Sequence, residues 1–312
     1  MWTRARSRAA AEGGAHVVIA LAGAHVSWNV VDDVRQLFEF PFMVNAFRAG
    51  TIVAVVAAVI GWFMVLRRQA FAGHTLAVVG FPGAAGAVWL GISAAWGFFG
   101  FCLAAALLIA GLRPGDGHGY SEESAGIGVI QAFALASGFL FVSLSRSFLN
   151  GVNALLFGTF LGITNAQVIV LLVVGALALT VVAAVGRPLL FASVDPDVAA
   201  ARGVRVRGLA VLFLVLLGLT AAEVSQITGT LLVFALLVMP AATAQLLTAR
   251  PALSLAVTVA IAVVVTWLGL AVAYFSPYPI GSFVTTFAFA AYVGAAATRR
   301  VGWRRARALV AA

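Results

Sequence analysis

The chain has 312 residues, of which 63% are hydrophobic and only 9% are charged. This balance excludes a soluble protein, because apolar runs of about 18 to 25 residues between short polar breaks are typical of helices that cross a membrane. The formal net charge of +9 comes from arginine alone, since the sequence contains no lysine. The arginines cluster at the ends of the apolar runs, as membrane topology requires, so nucleic acid is not expected as a partner.

Residues 1–43 form an N-terminal extension in this interpretation. Three arginines precede a modest apolar run, Val17–Val26, and this order resembles a signal peptide. His25 interrupts the run, and no convincing cleavage site follows it. An interfacial helix, or a translation start assigned too far upstream, is therefore favoured over a spanning helix.

The rest of the chain predicts an all-α, polytopic transmembrane bundle over 44–297 and a basic tail over 298–312. Nine spans fit, and eight or nine are expected because a re-entrant segment would change the count. The spans run over about Val44–Leu66, Gly73–Gly91, Ala95–Leu112, Ala125–Leu144, Ala166–Val185, Gly208–Ala222, Gly229–Leu247, Ala252–Phe275 and Ile280–Ala297. The positive-inside rule places the Arg67–Arg68 pair and the C-terminus in the cytoplasm, and Arg146 is the one clear exception.

The stretch from Arg67 to Ala87 carries a lone histidine, His74, and a Pro-Gly step at Pro82 and Gly83. An ionisable group inside a span is costly unless it faces a cavity or has a partner, so His74 is a candidate functional residue. Proline and glycine at mid-membrane loosen a helix, which is tolerated where neighbours or water satisfy the backbone. A packed, kinked helix whose histidine bonds a carbonyl near the interface explains the same residues equally well.

Two further polar groups carry possible cation ligands. Glu223 lies near the outer end of the sixth span, in a predicted short outer turn with Ser225 and Gln226. There it would receive a cation, form a salt bridge with a protein at the outer face, or form an exposed cap. The loop Pro114–Ser124 contains Asp116, His118, Glu122 and Glu123. Its glycines and serines favour a flexible, solvated loop over a metal site, because nothing fixes the ligand geometry.

The loop Phe191–Arg207 predicts a short cytoplasmic helix. Asp195 and Pro196 form a turn signal, alanines including Ala199 favour helix, and Gly203 is a stop signal. Asp195 is expected to cap the helix.

A possible internal repeat links the early and late halves of the chain. Phe81–Ala85 and Met239–Thr243 are both interrupted by proline, at Pro82 and Pro240, and both are rich in small residues. Proline-broken segments in matching positions of two halves point to a pathway at mid-membrane. A chance match is the alternative, since the composition is rich in alanine and glycine.

The segment from Gly73 to Gly83 resembles the second-helix signature of the membrane subunits of ATP-binding-cassette importers for zinc and manganese. In that family the segment reads glycine, aspartate, alanine, leucine, serine, histidine, then a few apolar residues and Pro-Gly. The frame matches at Gly73, Leu76 and the Pro-Gly step. His74 stands where the family has its aspartate, and Val78 stands where the family has its histidine.

Three other segments extend the resemblance over about Phe42 to Ala297. Asn153–Thr159 resembles the family's Leu-Phe-Gly segment on a short outer or re-entrant helix, and Gly229–Ala244 resembles its most recognisable late segment. In the family, the pattern matched by Asp195, Pro196, Ala199 and Gly203 forms the coupling helix that docks into a groove on the ATPase. An ordinary basic inner loop is the alternative.

The resemblance implies a permease subunit of a bacterial importer that moves divalent metal, zinc or manganese, across the plasma membrane by alternating access. The implied partners are ATP-binding-cassette ATPase subunits, an extracytoplasmic metal-binding protein, a second permease copy or a homologous permease, and the lipid bilayer. ATP binds the partner, because a chain without lysine lacks the usual phosphate-binding loop. The metal is cargo, no cofactor is expected on this chain, and the chain is not expected to be an enzyme.

The residues expected along the translocation path are His74, as metal ligand or gate, then Glu223, Pro82, Gly83 and Pro240. Because the family's aspartate and histidine are replaced, a metal chelate of the siderophore or cobalamin type is an alternative cargo. An ion-coupled secondary transporter is a further alternative, but the spans contain almost none of the buried acidic residues that it would need.

Overall fold

The computed structural model describes residues 30–112, 120–145, 156, 158, 162–276 and 278–310, and most of these are helical. The helices are α1 (Val30–Glu39), α2 (Pro41–Leu66), α3 (Ala70–Trp89), α4 (Ala94–Leu112), α5 (Tyr120–Leu144), α6 (Asn165–Val194), α7 (Pro196–Ala201), α8 (Val206–Thr228), α9 (Thr230–Leu247), α10 (Pro251–Tyr274) and α11 (Ile280–Val310).

Eight of the described helices are long and apolar enough to cross a membrane, namely α2 to α6, α8, α10 and α11. Helix α9 has 18 residues. At a rise of about 1.5 Å per residue it is about 27 Å long, close to the hydrocarbon thickness of about 30 Å. The predicted all-α transmembrane bundle of eight or nine spans is confirmed.

Contacts at both ends of α2 show that α2 and α6 run in the same direction through the bundle. At one end, Arg67 after α2 bonds Ser193 near the end of α6. At the other end, Asn45 near the start of α2 donates to the carbonyl of Ile163 just before α6. The first end also carries Arg68, Arg202, Arg205, Arg207 and Arg250 and is called the arginine-rich end below.

Helix α3 is central in the bundle. In the apolar 18-residue stretch of each helix, 78% of the residues of α3 are buried, compared with 67% in α2 and α8 and only 17% in α5. The exposed sides of α5 and α6 are apolar, as suits contact with lipid. The helix that carries His74 is therefore surrounded by protein along most of its length.

The predicted fifth span, Ala166–Val185, is shorter than the helix that carries it. Helix α6 continues through Pro188 to Val194 and has 30 residues. Proline removes one backbone hydrogen bond, but water can solvate the freed carbonyl where the helix leaves the hydrocarbon. The chain therefore remains helical almost to Asp195.

The predicted outer turn at residues 223–226 is also wrong. Helix α8 continues to Thr228, and Glu223 is 0% exposed. Thr228 donates its hydroxyl to the carbonyl of Val224 at 3.0 Å, which satisfies a polar side chain within the helix. The alternative that Glu223 forms an exposed cap is excluded by its burial.

Several sequence predictions concern residues outside the described ranges. These include the apolar run at 17–26, Asp116, His118, Arg146 and most of the segment 153–159. In the described part of the extension, α1 is too short to span a membrane, and its Phe38 packs on Phe47 of α2 with ring centroids 5.2 Å apart. The basic tail begins as a helix, since α11 runs to Val310.

Candidate functional site

His74 lies in the first turns of α3, four residues after the helix begins at Ala70. Its ring packs edge-on against Phe234 of α9, with the centroids 4.9 Å apart. The His74 Nδ1 atom is enclosed and has no hydrogen-bond partner among the described residues. The imidazole is half-buried. It therefore presents a nitrogen to the interior next to an aromatic ring, rather than to bulk solvent.

Val78 lies one helical turn beyond His74 and is also half-buried. Residues four apart share one face of a helix. The face of α3 that carries both side chains is therefore partly open, whereas most of the remaining helix is enclosed. These are the two positions that the sequence resemblance aligns with an aspartate and a histidine.

Pro82 and Gly83 lie on sides of α3 that do not face Phe234. A Cβ atom at Gly83 would overlap the backbone of Gly97 on α4, so the glycine lets two helices meet backbone to backbone. The Pro82 Cβ lies 3.1 Å from where a Cβ at Gly138 of α5 would be. The structure brings these residues to the α4 and α5 sides of α3, away from Phe234.

Pro240 is buried inside α9, the helix that also carries Phe234. The small residues beyond it, Ala241 and Ala244, are fully buried, as expected for close helix packing. Helices α3 and α9 contact each other, so the two proline-broken segments lie on neighbouring helices.

Glu223 is enclosed between α8, α6 and α2. A Cβ atom at Gly175 of α6 would lie 3.0 Å from Glu223 Oε1 and 2.8 Å from Val56 Cγ2 of α2. Neither carboxylate oxygen has a hydrogen-bond partner among the described residues. Because a buried charge without a partner is expensive, this carboxyl needs a proton, a cation or water.

The structure does not bring His74 and Glu223 together. His74 is near the arginine-rich end of α3 and faces α9, whereas Glu223 is five residues from the opposite end of α8 and faces α6. Across the described ranges, no three residues of the types His, Cys, Asp and Glu are close enough to hold a metal ion together. His74 alone would need further ligands from water, backbone or another chain.

The predicted short helix is present as α7. Asp195 is its N-cap, and Oδ1 accepts a hydrogen bond from the Val198 amide at 3.0 Å. Pro196 occupies the first turn, where its missing amide hydrogen is not needed. Ala199 is buried and Gly203 has φ +82°, a conformation that favours glycine. These four residues were predicted from the sequence, and together they define the helix.

Sequence reasoning missed the side chains that support the site. Phe234 contacts His74, but an aromatic residue in an apolar run gives no distinctive signal. Arg67 was interpreted only as a marker of topology, yet it bonds both Gln69 and Ser193. Thr75, next to His74, donates its hydroxyl to Gln131 Oε1 of α5 at 2.9 Å.

Comparison with known proteins identifies the family. The ABC 3 transport family matches residues 39–299 of the chain. The manganese import system permease protein ScaB of Streptococcus gordonii is 31% identical over 213 residues, which cover 68% of this chain and 75% of ScaB. The chelated iron transport system membrane protein YfeC of Yersinia pestis is 31% identical over 276 residues, covering 85% of this chain and 92% of YfeC.

The fold is also similar to a solved structure. The structure of PsaBC from Streptococcus pneumoniae in complex with Fab superposes with a TM-score of 0.75 at 26% identity and covers 85% of this chain and 95% of the matched chain. The resemblance predicted from the segments around His74, Asp195 and Pro240 is confirmed. The chain is a multi-pass membrane permease and belongs to the ABC 3 transport family.

Proposed function

We propose that this chain is the permease subunit of an ATP-driven importer that carries divalent metal ions, manganese or zinc, across the bacterial plasma membrane. The observation that supports this most strongly is the family match over residues 39–299, which includes the helix of His74. The relative ScaB is named as a manganese import permease. ATP hydrolysis belongs to a separate ATPase subunit, and an extracytoplasmic binding protein delivers the metal.

The arginine-rich end faces the cytoplasm in this proposal, because arginine is rarely translocated. The C-terminal end of α11, which continues into the basic residues of the tail, lies on the same side. The first residue of α2 and the turn between α8 and α9 then face outward, toward the binding protein.

Helix α7 is the contact with the ATPase. Pro196, Asp197 and Val198 are exposed, whereas Ala199 faces the bundle, so the helix has one free face and one anchored face. Helix α7 contacts both α6 and α8. A displacement of α7 by the ATPase would therefore move two spanning helices at once. A second permease copy, or a homologous permease, completes the pathway.

His74 is the proposed metal ligand or gate residue. A neutral imidazole nitrogen binds manganese, zinc and related metals, and Nδ1 is enclosed without a partner. Glu223 is the second candidate along the path, because an unpartnered carboxyl near the outer end suits a passing cation. Pro82, Gly83 and Pro240 shape the path by setting how closely α3 and α9 pack with their neighbours.

The proposed mechanism is alternating access. Metal enters from the outer end, and ATP-driven closure of the ATPase pair moves α7. The helices joined to α7 then reorient, and the metal leaves at the arginine-rich end past His74.

A metal chelate is the second candidate cargo. Val78 replaces the histidine that the family has one turn from the first ligand position, which leaves one ligand where the family has two. The relative YfeC is named as a chelated iron transport protein.

Uptake into liposomes tests the function and the cargo. The chain, its ATPase and its binding protein are reconstituted, and uptake of Mn²⁺, Zn²⁺ and Fe²⁺ is measured with and without ATP. ATP-dependent uptake of one free ion is expected. ATPase activity that the binding protein stimulates, without uptake of any free ion, would indicate that the cargo is a metal chelate. If the chain does not associate with an ATPase at all, the proposal that it is the permease of an ATP-driven importer would be wrong.

His74→Ala tests the ligand. We expect ATP-dependent Mn²⁺ uptake to be lost, while membrane insertion and ATPase assembly remain, since the side chain lies on a partly open face. Val78→Ala is the matched control on that face and should retain uptake. The double variant His74→Asp with Val78→His introduces the aspartate and histidine pair of the family. Unlike His74→Ala, it should retain ATP-dependent Mn²⁺ uptake. Normal uptake by His74→Ala would exclude the role.

A further inference from the structure

Arg67 lies where four helices meet at the arginine-rich end. It follows the last residue of α2, and its Nη1 donates to Ser193 Oγ of α6 at 3.0 Å. Its Nε donates to Oε1 of Gln69, the N-cap residue of α3, at 3.3 Å. Its Cζ lies 5.3 Å from the ring centroid of Phe213 on α8. One side chain therefore connects α2, α3, α6 and α8.

The Ser193 side of this contact is joined directly to α7. Ser193 donates its own hydroxyl to the carbonyl of Leu189, which fixes its rotamer within α6. Asp195 is the single residue between α6 and α7, and its side chain caps α7. With no flexible linker between the two helices, a displacement of α7 also displaces Ser193.

The Gln69 side is joined to the first turn of α3. Gln69 is only 5% exposed, and its backbone amide donates to the backbone carbonyl of Met64 at 2.9 Å. The backbone carbonyl of Gln69 accepts from the Gly73 amide at 3.0 Å, and His74 is the next residue. A force on the Gln69 side chain is therefore applied to the turn that carries His74.

We propose that Arg67 is a positioning residue that transmits the movement of α7 to the first turn of α3 and so reorients His74 during each ATP cycle. This inference rests on the proposed functions of α7 and His74. A guanidinium suits the task because its planar, fixed fork bonds two acceptors while it stacks on an aromatic ring. Phe213 is fully buried and gives the guanidinium a fixed surface on which to turn.

The first test uses Arg67→Lys, which keeps the charge but not the fork. In the complete importer in liposomes, Mn²⁺ uptake and ATP hydrolysis are measured together. We expect ATP hydrolysis to continue and the number of ions carried per ATP to fall about tenfold, the effect of losing one hydrogen bond to a charged group. Ser193→Ala should lower the ratio in the same direction.

Arg68→Lys is the matched control, since Arg68 is the adjacent, exposed arginine and should keep the wild-type ratio. A wild-type ratio in both Arg67→Lys and Ser193→Ala would overturn the inference. An equal loss of ATP hydrolysis and uptake in Arg67→Lys would also overturn it, because it would indicate a defect in assembly.

The second test does not depend on the cargo. Spin labels are placed at Phe71 and at Val194, the last residue of α6, which are 40% and 70% exposed, in a chain whose single cysteine is removed by Cys102→Ala. In the assembled complex, the distribution of distances between the labels should stay narrow, with the same mean, on addition of ATP and vanadate. In Arg67→Lys the distance distribution should broaden, or its mean should shift.

An unchanged, narrow distance in Arg67→Lys would refute the mechanical role. If the wild-type complex hydrolyses ATP but carries no Mn²⁺, the proposed cargo fails, whereas the label distance still decides the role of Arg67. The two failures are therefore distinguishable.

Discussion

Side chains bridge helices at both ends of the helical bundle, but among the described residues only the end opposite the arginine-rich end adds a backbone contact between two glycines of positive φ. At the arginine-rich end, side chains bridge helices: the indole Nε1 of Trp62 donates to Ser254 Oγ at 3.0 Å, linking α2 to α10. At the opposite end, backbones meet. A Cβ atom at Gly158 would overlap the turn between α8 and α9, and a Cβ atom at Gly229 would overlap the segment at Gly158.

This difference indicates which end can adjust. Side-chain contacts break and form again by rotamer changes, whereas a backbone contact between two glycines separates only if a whole segment moves. The arginine-rich end is therefore the adjustable end. This fits the proposal that the ATPase acts there, and it predicts that substitutions at the two ends differ in cost.

Gly229→Ala should have the largest effect. Gly229 has φ +72° and ψ 160°, a conformation almost restricted to glycine, and the added methyl would meet the carbonyl oxygen of Leu156. We expect a loss of at least about 3 kcal/mol in the free energy of unfolding, measured by detergent-induced unfolding in mixed micelles.

Gly91→Ala is the control for that substitution, because Gly91 has a similar φ of +77° but no atom near its Cβ position. Its cost should be about 1 kcal/mol. Equal costs at Gly229 and Gly91 would mean that the backbone contact contributes nothing and would break the comparison.

Trp62→Phe should have an intermediate effect. The substitution leaves the buried Ser254 hydroxyl without its donor, which costs about 1 to 2 kcal/mol inside a membrane bundle. The double variant Trp62→Phe with Ser254→Ala should cost little more than Trp62→Phe alone in the same unfolding assay. A cost above that of Gly229→Ala would reverse the assignment of the rigid and adjustable ends.

Asn45→Ala should have the smallest effect. The Asn45 amide donates to the carbonyl of Ile163 at 3.2 Å and is a side-chain contact at the rigid end. Its loss should cost about 0.5 to 1 kcal/mol, because the backbone contact at Gly158 still holds that end. A cost of several kcal/mol would show that polar side chains, and not glycine contacts, hold it.

The spans were predictable because each is a long apolar run, and eight of them meet the criteria of length and hydropathy in the structure. Their ends were less predictable. Pro188 does not end α6, and Glu223 and Ser225 do not form a turn, because neighbouring helices enclose polar groups that a sequence pattern assigns to the surface. Burial is set by partners that lie far away in the sequence.

The candidate site was predictable only in part, for the same reason. Helix α7 depends on local signals, the Asp195 cap and the Gly203 stop, and these are readable in sequence. Ser193, one of the partners of Arg67, is 126 residues away, so no local pattern identifies it. Gly83 shows the converse, since a Pro-Gly step at mid-membrane indicated a pathway, whereas the glycine meets the backbone of Gly97.

The bond from Trp62 to Ser254 also has a consequence for how the chain is made. Its two residues are 192 positions apart, and the bond from Gln245 to the carbonyl of Trp62 spans 183. During synthesis, α2 enters the bilayer long before either partner has left the ribosome. The indole and the backbone carbonyl of Trp62 therefore lack these native partners until α9 and α10 insert, and the bundle reaches its final packing only when the last helices arrive.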